Sequence, residues 1–163
     1  MKILVIGGAG FIGSHLCEAY SGNHEVTSID NYISGKTDNH IDQVEYINLD
    51  AEDILSLDKK FDIIFHLGEY SRVEQSLTKI DFVLKNNISP TLNVLKFAKK
   101  TDAKLIYACS STKFADDGKN KLKSPYSFSK WQNSELVKFY CELNQMPYAI
   151  TSVSYTHLRA HET

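Results

Sequence analysis

The chain has 163 residues, 42% of them hydrophobic, and a formal net charge of −2 from 18 basic and 20 acidic side chains. That length suits one domain with an ordinary core. The charge balance excludes the basic field that nucleic acid or an anionic membrane surface requires, and no apolar run reaches transmembrane length. Cys17, Cys109 and Cys141 stand at no metal-ligand spacing and read as reduced thiols of a cytoplasmic protein. No metal is expected. The apolar start, Lys2 to Ile6, runs straight into glycines without a cleavage site, so it is not a signal peptide.

Residues 2–6 are a β-branched run bounded by glycine, which predicts a buried strand. Ile12, Leu16, Ala19 and Tyr20 give residues 11–21 helical spacing. Strands follow at 24–29, ending at Asp30, at 44–48 and at 61–66. Leu77, Ile80, Leu84, Ile88, Leu92 and Leu95 mark a long helix, which Pro90 should kink or restart. A fifth strand is expected at 105–109, a polar loop at 116–124, a helix at 126–144 and a sixth strand from Tyr148. Strands alternating with helices predict an α/β fold, a doubly wound parallel sheet covered on both faces. No linker or second domain interrupts residues 1–151.

Gly7, Gly10 and Gly13 lie between the first strand and the first helix, with Gly8 allowing a second register. Missing Cβ atoms let the backbone turn tightly and approach a pyrophosphate at the helix N-terminus. Asp30 ends the second strand at the spacing expected of a carboxylate on an adenosine ribose. It would repel a 2′-phosphate, so NAD is expected over NADP.

Tyr126 and Lys130 form Y-x-x-x-K on a helix, where positions i and i+4 share a face. The lysine cation would stabilise a phenolate, which can take a proton from a sugar hydroxyl as hydride leaves the same carbon. Ser110, Ser111 and Thr112 follow the fifth strand, at the edge where open α/β sheets bind ligands. A hydroxyl there can hold the substrate beside Tyr126. Glu69, Tyr70 and Arg72 after the fourth strand face either substrate or solvent, and His66 reads as structural.

In this order and on these elements, the motifs resemble the extended short-chain dehydrogenase/reductases, the NAD-dependent epimerase/dehydratase family. The likeness runs through GGAGFIGSHL, with Phe11 and Ile12 inside it, and Asp30-Asn31. Asp50 to Asp53 is similar to the family's G-D-x-x-D, with Leu49 for the glycine, and implies an adenine contact for Asp50. His66-Leu67-Gly68 resembles H-x-A, which implies that Leu67 and Gly68 pass along the cofactor. Asn86 to Thr91 is similar to N-N-V-x-G-T, with Pro90 for the glycine, and implies Asn87 near the cofactor. Counting along S-S-S-x-x-V-Y-G puts Ser110 on the catalytic hydroxyl, while Lys113-Phe114-Ala115 replace V-Y-G.

The resemblance implies a Rossmann fold, bound NAD, a nucleotide-sugar substrate and a homodimer built on the last two helices. It implies a UDP-hexose 4-epimerase, with a reductase or dehydratase as alternative. Ser111-Thr112 stand where the family's 4,6-dehydratases carry Asp-Glu, which favours the first. A non-catalytic dinucleotide sensor would have no need of Tyr126, Lys130 and Ser110 together.

Val153 to Thr163 is similar to the translation of a sequencing-library adapter, so residues 152–163 are expected to be a non-native tail. Residues 1–151 would then be the NAD-binding domain. The family's substrate part would be missing, and the fragment itself would be inactive.

Overall fold

The computed structural model describes residues 1–113 and 119–154. Phe114, Ala115, part of the expected polar loop and most of the expected tail lie outside them. Six strands form one sheet: β1 (Lys2–Ile6), β2 (Glu25–Asp30), β3 (Glu45–Asn48), β4 (Ile63–His66), β5 (Lys104–Ser110) and β6 (Tyr148–Val153). Their order is β3-β2-β1-β4-β5-β6, and every pairing is parallel. The expected Rossmann architecture is what the chain adopts.

The sheet is buried on both faces, and β1 shows why its residues are apolar without alternation. Ile3 and Val5 pack with Cys17 of helix α1 (Phe11–Ser21), while Leu4 and Ile6 face the opposite cluster. That second cluster includes Val94, Leu95 and Phe97 of α3 (Ile80–Thr101) and Val137 of α4 (Pro125–Leu143). A one-residue slip of β1 would leave both faces apolar but change which side chains fill each layer.

The long helical pattern breaks in a place the sequence does not mark. A short α2 (Val73–Ser76) precedes α3, and α3 runs unbroken through the buried Pro90. The second of the two expectations, a new helix starting at Pro90, is therefore corrected. Proline forfeits one backbone bond, to the carbonyl of Asn86, but tertiary packing outweighs it. Val83, Asn87, Thr91, Val94 and Leu95 on either side of Pro90 are all buried. Among the described residues, no helix is long and apolar enough to cross a membrane.

The topology positions the site. Strand order reverses between β1 and β4, so their carboxyl ends diverge and leave a crevice there.

Candidate active site

Gly7 follows β1 with a φ of +86°, a conformation that glycine adopts freely. A Cβ there would lie 2.9 Å from the Gly68 backbone, and one on Gly13 would lie 2.1 Å from the Gly7 carbonyl oxygen. Glycine at these positions lets three backbone segments meet where side chains would collide. Gly10 caps α1, whose first turn carries no acidic residue. Its positive dipole end opens on the cleft lined by Gly7, Gly10, Phe11, Ile12 and Gly13. A pyrophosphate fits this cradle.

Asp30 lines the same cleft and has a second task. Its carboxylate accepts hydrogen bonds from the Ala9 N–H at 3.0 Å and the Tyr32 N–H at 2.8 Å. It thereby ties the end of β2 to the glycine loop. Asp50 accepts from the Asn31 side-chain amide at 2.7 Å and the Glu52 N–H at 2.8 Å. Asn31, Asp50, Leu67 and Gly68 are all lining residues. These carboxylates and amides suit a ribose and an adenine.

Tyr126 and Lys130 line this cleft too, at 4% and 5% exposure. Local sequence sets their helix. Ser124 is the N-cap, accepting from the Ser127 N–H at 3.1 Å, and Pro125 occupies the first turn. Tyr126 then enters the helix at a fixed height, and Lys130 follows one turn later.

Lys130 is held on two sides. Its Nζ donates to the Ala108 carbonyl oxygen at 2.7 Å and lies 3.0 Å from Glu69 Oε2. The Glu69 side chain is fully buried. Its Oε1 lies 3.0 Å from both Thr91 Oγ1 and Asn133 Nδ2, which face it as donors. Thr91 Oγ1 is in turn 3.0 Å from His66 Nε2. Burial works against the Lys130 ammonium, but Glu69 and Tyr126 hold its pKa above the ordinary lysine value. Burial likewise works against the Glu69 carboxylate, and Lys130 and His66 hold it below the usual range. Burial lowers His66 to about 4, with Glu69 opposing, so this histidine is neutral at physiological pH.

Some expected site residues stand behind the wall. Asn87 is fully buried and does not line the cleft; its neighbour Asn86 does. The Asn87 side chain accepts from the Tyr70 N–H at 2.7 Å and donates to Ser129 Oγ at 3.0 Å, so it braces the segment after β4. Ser110, Ser111 and Thr112 are not among the lining residues, although Cys109 is. Ser110 Oγ accepts from the Thr112 hydroxyl at 3.1 Å and the Thr112 N–H at 3.3 Å.

The residue that sequence reasoning left undecided is Glu69. It lines the cleft with Tyr70 and Arg72, yet it serves as the Lys130 counter-ion. A weak signal exists: Asn133, a polar residue three positions after Lys130, shares its buried helix face. Among the described residues, no cluster suits a metal ion.

The chain is similar to known proteins along most of its length. The model of the NAD dependent epimerase/dehydratase family matches residues 3–157. The chain is 31% identical, over 93% of its length, to a Methanocaldococcus jannaschii protein provisionally named a UDP-glucose 4-epimerase, and it covers 55% of that protein. It is 34% identical, over 68% of its length, to a UDP-N-acetyl-alpha-D-glucosaminuronate decarboxylase of Bacillus cytotoxicus, covering 36% of it. A crystal structure of Thermotoga maritima UDP-glucose 4-epimerase with UDP-glucose superposes with a TM-score of 0.84 at 26% identity, covering 93% of this chain and 55% of that one. The chain thus spans about a third to a little over half of these relatives.

Proposed function

Because the chain belongs to the NAD-dependent epimerase/dehydratase family, we propose that it carries the cofactor half and the catalytic pair of a nucleotide-sugar 4-epimerase acting on a UDP-hexose. One observation carries this reading: Tyr126 and Lys130 line the same cleft as the glycine loop and Asp30. A dinucleotide on the loop would present its far end to the phenol and the ammonium.

Gly7, Gly10, Gly13 and the α1 N-terminus would hold the pyrophosphate of NAD, Asp30 the adenosine ribose, and Asp50 with Asn31 the adenine. Bound NAD supplies acceptance and return of hydride at one sugar carbon. Tyr126 as phenolate takes the proton of the hydroxyl on that carbon and later gives it back. Lys130 stabilises the phenolate by its charge and donates to the cofactor ribose. Ser110, whose hydroxyl accepts from Thr112 at the end of β5, would orient the sugar hydroxyl.

The expected result for the intact protein is interconversion of UDP-glucose and UDP-galactose that Tyr126→Phe abolishes while NAD binding persists. Unchanged turnover in that variant would overturn the mechanism. A second reading, decarboxylation of a UDP-uronate, draws support from the decarboxylase relatives. It would use the same pair to take the sugar hydroxyl proton with bound NAD as the hydride acceptor, and carbon dioxide release from a UDP-uronate would select it.

A further inference from the structure

Lys130 is buried almost completely, and a buried ammonium without a partner readily loses its proton. Several groups bear on it among the described residues. Glu69 comes from beyond β4, and His66 from the end of β4. β5 brings Cys109 and Tyr107, whose ring centre lies 5.3 Å from Nζ. Tyr126 stands on the same helix, and α3 brings the uncharged Thr91 and Asn87 behind Glu69. Of these, Glu69 is the carboxylate at contact distance, and His66 is neutral.

The geometry also limits what Glu69 can do. Its Oε1 is occupied by Thr91 and Asn133, its side chain has no solvent exposure, and Oε2 faces Lys130. This carboxylate is therefore clamped in one orientation. An ammonium has three N–H groups. Ala108 accepts one of them at 2.7 Å, and Glu69 Oε2 stands 3.0 Å from Nζ as its ion-pair partner, so the ammonium keeps N–H groups for a ligand.

We infer that Glu69 is a positioning residue that acts through Lys130, keeping its ammonium charged and fixed beside β5 so that its remaining N–H groups serve the cofactor ribose and Tyr126. This inference rests on the reading of Tyr126 and Lys130 as the catalytic pair. It gives Glu69 a part in cofactor binding that none of the sequence motifs includes.

The test is NAD affinity as a function of pH, measured by titration calorimetry on the intact protein. Wild type should bind NAD with affinity that changes less than about twofold between about pH 6 and pH 9, because Glu69 keeps Lys130 charged throughout. In Glu69→Gln, Lys130 should lose its proton within that range, and affinity should fall by about tenfold as the charge-assisted bond to the ribose is lost. An affinity for Glu69→Gln that is flat across the range, at whatever level, overturns the inference, since a merely structural role would lower stability without moving the pH profile. If Glu69→Gln does not fold, Glu69→Asp draws the carboxylate back from Lys130 and should show the same fall in weaker form; a flat profile there overturns the inference equally. Lys130→Met separates the two readings. It should bind NAD weakly at every pH, and wild-type affinity in that variant would overturn the cofactor role of Lys130 itself.

Discussion

The buried pair at the base of the cleft makes a sharp thermodynamic prediction. Lys130→Met keeps the length of the side chain and removes its charge. Glu69, with no exposed side-chain surface, is then left as an uncompensated carboxylate. Breaking a buried ion pair by removing one partner costs about 3–5 kcal/mol, a large part of the roughly 5–15 kcal/mol that holds a domain folded. At about 2–4 °C per kcal/mol for a chain of this size, the unfolding midpoint should fall by roughly 6–20 °C. Glu69→Gln alone should cost a similar amount, because it strands the ammonium. The double variant removes both charges, and the amide introduced by Glu69→Gln can still accept from Asn133 and Thr91. It should lie closer to wild type than either single variant, with a coupling of at least about 2 kcal/mol. Denaturant unfolding followed by circular dichroism gives the four free energies. If the loss in the double variant equals the sum of the two single losses, the pair is uncoupled and the reasoning fails.

Two further outcomes follow from the same network and the cleft. His66 is held at about 4 in the folded state, below the ordinary value of about 6.5 for the unfolded chain, so the unfolded state binds more protons between these values. Stability should therefore be full above about pH 6.5 and fall as pH drops towards 4, by about 3 kcal/mol in total. His66→Asn should flatten that acid limb in a pH series of thermal melts, and an unaltered limb would place the titration elsewhere. At the other end of the cleft, the Asp30 carboxylate should make NAD bind at least about tenfold tighter than NADP. Asp30→Ala should lower NAD affinity by about tenfold and close most of that gap, and equal affinity for the two cofactors in wild type would contradict the role given to Asp30.

Much of this was legible in the sequence for a physical reason. A doubly buried parallel strand needs an apolar run, a pyrophosphate cradle needs glycines before a helix, and two groups that share a ligand need i,i+4 spacing. Each is a local requirement, so each leaves a local trace: β1, the Gly7 to Gly13 loop, and Tyr126 with Lys130. The alternation of strand and helix implies a parallel sheet, and the strand order seen in the structure places the cleft at the β1–β4 divergence.

What the sequence could not decide depends on groups far apart in the chain. Pro90 signals a kink or a restart, but α3 continues through it, buried on both sides, despite the lost backbone bond. Asn87 matches a cofactor motif, but the structure turns it to the backbone of Tyr70 and leaves Asn86 in the wall. Glu69 follows a strand end, where the sequence leaves open whether it faces substrate or solvent. Its fate is set by Lys130 and Asn133, 61 and 64 positions later on α4, and by Thr91 on α3. Charge in a protein interior is tolerated only where partners from several elements converge. That convergence is a property of the packed fold, and no spacing within a single segment encodes it.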